Sequence, residues 1–306
     1  MSVKRSDARA ILSKMPTFKG RRFQLISIYN KHNEEKCFLA VSDSRSYKVR
    51  FATATSRHSV EREYQAYTRL HQQCINWAPT VYEVKLDEPA CLVTSFAEGT
   101  SLDKSLSWIE SAPEIARGIV SSLKEIHQIK GCYYGHLGGP RYTSWQAFID
   151  VRFWRHVNPL STAKIIDNND LKKVQQLYEE TLESLGQVRP VLLHGDVKPA
   201  NVIFDESRKQ TTIIDWELAR FGDLDFEWSK LDRMAIRWPE YRRLIAEPIL
   251  RSVFRNRAKK KAKLLLYDLY HASSFFTFEM ETGLPIQSYR LTDLEKILYE
   301  VRSRKS

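Results

Sequence analysis

The sequence predicts an α+β protein with two lobes, a small lobe built on an antiparallel sheet and a larger lobe that is mainly helical. Between residues 22 and 51, three short strand-like runs are joined by polar turns, as is typical of an antiparallel meander. In the second half of the chain, apolar residues recur at three- and four-residue spacing, which indicates amphipathic helices. Within that second half, residues 191–217 combine short apolar runs with a dense set of polar side chains.

The small lobe is predicted to start with a short helix at residues 7–15. Three strands follow at 22–29, 36–41 and 47–51. The next helix shows a single buried face, formed by Val60, Tyr64, Tyr67 and Leu70. Ser59 stands just before that pattern and is the predicted N-cap.

A near-continuous apolar run at residues 90–96 predicts a strand buried on both faces. A polar segment containing Gly99 follows it. We therefore place the lobe boundary here and predict two domains, residues 1–96 and residues 97–306.

The larger lobe is predicted to be a succession of helices. One buried face is formed by Ile115, Ile119, Leu123 and Ile126, and a later helix ends at Gly186. Helices are also predicted within 229–256, 262–282 and 291–301. We see no internal repeat in this part of the chain.

The stretch 191–217 is the candidate chemical centre. His194-Gly195-Asp196 follows directly after a predicted apolar strand, and Asn201 lies five residues after Asp196. Two short strands joined by a polar turn then lead to Asp215, so a hairpin would bring Asn201 and Asp215 to the same end. Carboxylate and amide oxygens are the hard ligands that Mg²⁺ prefers and usually shares with nucleotide phosphates.

The spacing H-x-D-x-K-x-x-N resembles the catalytic loop of protein kinases. Gly195 and the pair Trp216-Glu217 make the stretch more similar to the aminoglycoside phosphotransferase and choline kinase superfamily, with its H-G-D-x-x-x-x-N and I-D-W-E motifs. The resemblance covers roughly residues 20–235. It implies the two-lobed protein-kinase-like fold and transfer of the ATP γ-phosphoryl group to a hydroxyl of a small molecule.

The resemblance also implies roles for individual residues. Asp196 would orient and deprotonate the acceptor hydroxyl, and Lys198 would offset charge on the transferring group. Asn201 and Asp215 would hold Mg²⁺. The remaining candidates bind the nucleotide: Arg50 contacts the phosphates with Glu63 as its partner, and the backbone of Ser95, Phe96 and Ala97 receives adenine. Lys48 lies on the same side of its strand as Arg50 and is the alternative phosphate contact.

One family feature is missing. Between Gly20 and Gly99 the sequence contains no glycine, so no Gly-rich loop covers the phosphates. The turn at residues 30–35 occupies its position in the chain. Its backbone amides and Asn30 are the substitutes that the sequence offers.

The formal net charge of +11 first suggests a nucleic-acid partner. Much of the excess lies in the basic run 251–263, which we interpret as a solvated surface, so we do not expect nucleic acid to be the partner. The sequence shows no apolar run long enough for a membrane span and no signal-peptide core at its start. Four scattered cysteines fit reduced thiols, and we expect a cytoplasmic protein.

Two other classes of function remain open on the sequence alone. The D-x-K-P-x-N run is shared with protein kinases, although Gly195 and Asp215-Trp216-Glu217 depart from their motifs. A non-catalytic nucleotide- or anion-binding protein is the second. The acceptor itself is open: aminoglycosides are polycations that need an acidic pocket, and six acidic residues follow at 223, 225, 227, 232, 240 and 247.

Overall fold

The computed structural model describes residues 3–31, 35–43, 45–186, 188–253 and 261–304. These residues form two compact units. Unit 1 contains residues 1–105, 136–139 and 200–219, and unit 2 contains residues 106–135, 140–199 and 220–306. The hairpin that the sequence places within domain 97–306 therefore packs in the same unit as the N-terminal sheet. The predicted lobe boundary between residues 96 and 97 stays a prediction.

Unit 1 is built on a five-stranded antiparallel sheet in the order β1-β2-β3-β5-β4. Its strands are β1 (Gln24–Lys31), β2 (Glu35–Ser42), β3 (Arg45–Ala52), β4 (Val81–Lys85) and β5 (Ala90–Ser95). The three strands predicted at the start of the chain are all present. One face of the sheet packs on α1 (Arg5–Leu12) through a core that includes Leu12, Phe18, Phe38, Tyr47 and Phe51. Burying each such side chain contributes about 1.5–3 kcal/mol.

Helix α2 (Arg57–Gln72), also in unit 1, buries the predicted face, which includes Val60, Tyr67 and Leu70. The sequence predicted Ser59 as the N-cap of this helix, and that prediction is wrong. The helix starts at Arg57 with Ser56 in the N-cap position, and the Ser59 hydroxyl donates to the Ser56 carbonyl at 2.6 Å. The apolar pattern starts only at Val60 and could not mark the true start, because Arg57 and His58 are exposed.

The rest of unit 1 is a small sheet in the order β10-β9-β6, made of β6 (Thr100–Ser101), β9 (Val202–Asp205) and β10 (Gln210–Ile213). Gly99 precedes β6 at φ +115°, where a Cβ atom would stand 2.4 Å from the Phe204 carbonyl oxygen. This close approach of two backbones requires glycine.

Unit 2 is mainly helical. It contains α3 (Ala112–Ile126), α4 (Trp145–Thr162), α5 (Asn168–Gly186), α6 (Leu224–Ala235), α7 (Pro239–Tyr241), α8 (Glu247–Val253), α9 (Lys261–Thr282) and α10 (Ser288–Arg302). Two short strands, β8 (Val191–Leu193) and β11 (Arg220–Gly222), pair antiparallel, and β7 (Gly135–His136) lies where the chain passes between units. The helix predicted within 229–256 is interrupted: α6 ends at Ala235, Pro239 starts α7, and a π-helical turn (Arg242–Ala246) leads into α8.

The core of unit 2 contains an aromatic cluster. Trp145 stacks on Phe148 at 4.7 Å between ring centroids and meets Phe226 edge-on at 5.2 Å. The Trp145 indole N–H donates to the Tyr267 hydroxyl at 2.7 Å. Helices α4, α6 and α9 are thus joined at one buried point, from which α6 projects toward the loop after β8. In the part of the chain that the structure describes, no helix is both long and apolar enough to cross a membrane.

Candidate functional site

The hairpin of β9 and β10 brings Asn201 and Asp215 to one end. The strands pair with Val202 opposite Ile213, and the Ile214 N–H extends the ladder to the Asn201 carbonyl at 2.9 Å. Asp215 leaves the strand at φ +67°, in the left-handed region. Asn201 is buried, whereas the Asp215 side chain is 28% exposed. The hairpin geometry that the sequence predicted is therefore present.

Arg50 on β3 is the centre of a buried ion cluster in the same unit. Its Nη1 lies 2.6 Å from Glu63 Oε2, the predicted partner, and 3.5 Å from Asp215 Oδ1. Its Nη2 donates to Glu217 Oε2 at 2.6 Å. Lys48, two residues earlier on the strand, lies 3.1 Å from Glu63 Oε1. Arg50 and Lys48 thus lie on one side of β3, as the two-residue period requires.

Charge balance in this cluster decides which carboxylates ionise easily. Burial opposes ionisation of Glu63, but Lys48 and Arg50 outweigh it and lower the pKa of Glu63 to about 2. Burial and the neighbouring Glu217 raise the pKa of Asp215 to about 6. Asp215 therefore has less cationic compensation than Glu63, which is the situation of a carboxylate that a metal ion would stabilise.

Glu217 was not among the predicted site residues, although it holds Arg50 as closely as Glu63 does. The available signal was the motif itself, since Glu217 follows Asp215 by two residues. Trp216 between them is fully buried, 6.5 Å from Tyr67 and 6.3 Å from Trp77 between ring centroids. This packing fixes the direction of the residues on both sides of it.

The loop after β8 carries the predicted base, Asp196, in unit 2. Glu227 of α6 accepts the His194 N–H at 2.6 Å and the Gly195 N–H at 3.0 Å. Gly195 has a φ of +80°, so the turn into Asp196 uses glycine's conformational freedom. Helix α6 therefore fixes the backbone that presents Asp196.

Two lysines flank the buried Asp196 carboxylate. Lys198 Nζ lies 2.6 Å from Oδ2, and Lys230 Nζ, from α6, lies 3.7 Å from Oδ1. Burial alone would raise the pKa of Asp196, but Lys230 and Lys198 hold it below its usual value. The carboxylate is therefore ionised at neutral pH. Sequence reasoning did not predict Lys230, because only the fold brings α6 to this loop.

The segment predicted to receive adenine is partly committed to the protein. The Ser95 N–H donates to the Thr80 carbonyl at 2.8 Å, and the Phe96 N–H donates to the Ser46 carbonyl at 3.1 Å. Adenine contacts through these two residues would therefore use their carbonyl oxygens. Among the three candidates, Ala97 is the one left to supply a backbone donor.

The Asn201–Asp215 pair fits a divalent metal by the chemistry of its donors, one carboxylate and one amide. Mg²⁺ is commonly bound through one or two carboxylates, with waters and nucleotide phosphates completing the octahedron. Within the described ranges, no three His, Cys, Asp or Glu side chains are grouped as metal ligands. The set proposed for Mg²⁺ is smaller than such a group.

Two predicted features fall partly outside the described residues. The turn at 30–35 includes 32–34, and the basic run 251–263 includes 254–260, none of which the structure describes. At the ends of that run, Arg251 contacts Glu247 at 3.3 Å, and Lys263 Nζ lies 2.8 Å from Asp223 and 2.6 Å from Asp225. Lys263 is therefore part of the fold and not of a solvated surface.

Comparison with known proteins places these observations in a family. The sequence model of the phosphotransferase enzyme family, APH, matches residues 30–246. No curated protein sequence matches the chain. Among solved structures, aminoglycoside phosphotransferase APH(4)-Ia is 17% identical and superposes with a TM-score of 0.69, covering 98% of each chain.

Two similar structures are complexes with a nucleotide and a second small molecule. A thermostable mutant of APH(4)-Ia in a ternary complex with AMP-PNP and hygromycin B has a TM-score of 0.67 at 18% identity, covering 96% of each chain. The streptomycin–ATP–APH(2″)-IIa ternary complex has a TM-score of 0.65 at 16% identity, covering 98% of this chain and 97% of the other. These likenesses confirm the predicted fold class, the two-lobed α+β fold related to protein kinases.

Proposed function

Because the chain belongs to the phosphotransferase enzyme family, we propose that it transfers the γ-phosphoryl group of ATP to a hydroxyl group of a small molecule. The observation that carries this proposal is the environment of Asp196. This carboxylate is buried, is kept ionised by two lysines, and stands on a loop whose backbone is fixed by Glu227. A carboxylate held in this way is suited to orient an acceptor hydroxyl and accept its proton.

The reaction would proceed by in-line displacement. The acceptor oxygen forms a bond to the γ-phosphorus while the bond from that phosphorus to the bridging oxygen breaks, and its electron pair leaves with ADP. The acceptor proton passes to Asp196. Because Lys198 and Lys230 lower the pKa of Asp196, it is a weak base, so orientation is its larger contribution and the proton is transferred late. Lys198 would offset negative charge on the transferring group.

The nucleotide contacts are assigned to unit 1. Asn201 and Asp215 would hold Mg²⁺, which when bound neutralises charge on the phosphates. Arg50 would give up its longest contact, the 3.5 Å one to Asp215, for a contact with a phosphate. Its contacts with Glu63 and Glu217 would keep it in position. Lys48 is the alternative, since its side chain is 18% exposed against 4% for Arg50. The backbone at Ala97 would receive adenine.

Two conservative variants test the division of roles. Asp196→Asn keeps the shape and removes the base, so it should bind Mg·ATP almost normally and lose turnover by about 10²- to 10⁴-fold. Asp215→Asn replaces an anionic ligand by a neutral one and should also weaken Mg²⁺-dependent ATP binding. Both effects are measured by titrating nucleotide with and without Mg²⁺, together with steady-state turnover. Loss of Mg·ATP binding in Asp196→Asn, with normal turnover in Asp215→Asn, would show that the roles are wrongly assigned.

A further inference from the structure

The acidic residues that made a polycationic acceptor conceivable are committed to partners within the protein. All six carboxylates between residues 223 and 247 have such a partner. Asp223 and Asp225 contact Lys263, Glu227 accepts the His194 and Gly195 N–H groups, Asp232 contacts Arg233 at 2.6 Å, Glu240 contacts Arg243 at 2.7 Å, and Glu247 contacts Arg251 at 3.3 Å. Four of the six are buried, at 223, 225, 227 and 232. The four buried carboxylates therefore serve the fold of unit 2, whereas Glu240 and Glu247 form exposed pairs with nearby arginines.

The surroundings of Asp196 are instead cationic. Lys198 and Lys230 flank its carboxylate, and Arg220, which is also buried, lies close enough to lower the pKa of Lys230 further. Glu227 is the second carboxylate of this group. Lys198 and Lys230 are the two cations whose contacts with the Asp196 carboxylate are established, so two positive charges meet one negative charge there. A polycation brought to Asp196 would meet like charges at low dielectric.

The two lysines are not equivalent. Lys198 Nζ lies 2.6 Å from Asp196, a distance typical of a strong charge-assisted hydrogen bond. Lys230 Nζ lies 3.7 Å away, which is an ionic contact beyond hydrogen-bond length. An ammonium group has three N–H donors, so Lys230 keeps donor capacity beside the carboxylate. An acceptor hydroxyl bound to Asp196 lies about 2.6–3.2 Å from it, and groups on neighbouring carbons then come within reach of Lys230.

We propose that the acceptor is an anion, a hydroxyl compound that also carries a carboxylate or phosphate group, and that Lys230 binds this group. The proposal rests on the proposed phosphotransfer. Lys230 would align the acceptor hydroxyl with Asp196 and exclude acceptors that carry only positive charge. Burial lowers the pKa of Lys230 to about 8, and an anionic ligand would supply the counter-charge that favours its protonated form.

The test uses matched acceptors that differ in charge: D-gluconate against D-glucitol, glucose 6-phosphate against glucose, and kanamycin as a polycation. For the wild type, thermal unfolding with Mg·AMP-PNP and ADP release with Mg·ATP are measured for each compound. We expect an anionic member to raise the unfolding midpoint and to be phosphorylated in preference to its neutral counterpart. Comparing gluconate with glucose 6-phosphate shows whether the protein prefers a carboxylate or a phosphate group on the acceptor. Preference for a neutral or cationic compound, or no effect of any anionic member, would overturn the proposal.

A variant then connects the preference to Lys230. Lys230→Met removes the charge at similar length and should lower the anionic-to-neutral ratio of kcat/KM at least about tenfold, whereas Lys230→Arg should keep most of it. The control is Lys124→Met on α3, an exposed lysine outside the site, which should leave the ratio unchanged. A higher KM for ATP with an unchanged acceptor ratio would place Lys230 at the nucleotide and refute the proposal. Stabilisation by Mg·AMP-PNP alone reports on the proposed function separately, since that effect needs no acceptor.

Discussion

At the scale of single residues, the charge of Arg50 holds three carboxylates of unit 1 together. Glu63 and Glu217 each lie 2.6 Å from it, and Asp215 lies 3.5 Å away. Such a buried cluster is costly to interrupt, because removing one partner leaves other charges buried without compensation. In the proposed function the same arginine also contacts a nucleotide phosphate, so its variants must be measured for stability and for ATP kinetics.

Arg50→Ala should lower the free energy of unfolding by about 3–5 kcal/mol, because Glu63 and Glu217 lose their shared counter-charge. It should also raise the KM for ATP and lower turnover. Arg50→Lys should recover part of each loss, since charge returns without the two-pronged geometry. Urea unfolding and ATP kinetics measure the two effects. If Lys48→Met raises the KM for ATP while Arg50→Ala leaves it unchanged, the phosphate contact belongs to Lys48.

At the scale of elements, the position of the β9–β10 hairpin depends on contacts between backbones. Strand β6 pairs with β9, and Gly99 allows the approach that this pairing needs. In unit 2, helix α6 is fixed at its start by Asp223, whose carboxylate accepts the Asp225 N–H at 3.0 Å and the Tyr267 hydroxyl at 2.6 Å. Asp223 is thus the N-cap of α6. Both elements are therefore held by specific contacts rather than by apolar burial alone.

Gly99→Ala should destabilise the protein by about 2–5 kcal/mol, because the new Cβ meets the Phe204 backbone and φ +115° is strained for alanine. The matched control is Gly186→Ala at the end of α5. There the nearest atom to a Cβ is the Gln146 side-chain oxygen at 4.0 Å, so the change should be close to neutral. Urea unfolding of both variants provides the comparison. Equal stability of the two variants would contradict the role given to Gly99.

The contact between α6 and the Asp196 loop should make stability depend on pH. Burial raises the pKa of Glu227 to about 7 from an ordinary value of 4.5, although the Gly195 and His194 N–H groups oppose this. The folded protein then binds the proton more tightly than the unfolded chain. The contribution of protonated Glu227 to the free energy of unfolding is fully present below pH 4.5. It is lost as pH rises through 7, by up to about 3 kcal/mol.

Glu227→Gln cannot ionise, so the difference in unfolding free energy between wild type and variant should change across pH 4.5–7 and be constant outside that window. Urea unfolding at a series of pH values measures this difference. A difference that is the same at every pH would show that Glu227 titrates normally in the folded protein.

At the scale of the whole molecule, a basic chain has the fold of the protein kinases and the sequence of the phosphotransferase family. Several of the basic residues behind the charge that suggested nucleic acid form ion pairs within the described structure. Arg50, Lys198, Lys230 and Lys263 each pair with buried or partly buried carboxylates. The basic residues of the run 251–263 that lie outside the described range remain predicted to be a solvated surface.

Replacing Lys259, Lys260 and Lys261 with Gln lowers the formal net charge from +11 to +8. Turnover should stay within a few-fold of the wild type, because none of these lysines is assigned to the chemistry. Steady-state kinetics measure this. A loss of orders of magnitude on a neutral acceptor would place the lysines in the active site, and a steeply salt-dependent affinity for RNA or DNA would favour the nucleic-acid alternative.

The sequence by itself determined the features that depend on local spacing. The hairpin that brings Asn201 and Asp215 together follows from two short strands and the turn between them. The resemblance to the family implied the Arg50–Glu63 pair, and the two-residue alternation of β3 placed Lys48 on the same side as Arg50. Membership of the family was also predictable, because the motifs from His194 to Glu217 are nearly continuous in the chain. The two strands of the hairpin are neighbours in the chain, and so are β3 and α2.

Only the tertiary structure decided which charged groups, far apart in the chain, lie next to each other. Glu217 meets Arg50 across 167 positions of the chain, and Glu227 and Lys230 reach the Asp196 loop from α6. In the sequence alone, each of these residues is indistinguishable from an ordinary charged residue at the edge of a helix or motif. Once they are buried, water no longer screens them, and each must find its counter-charge among neighbours that the packing of the elements supplies.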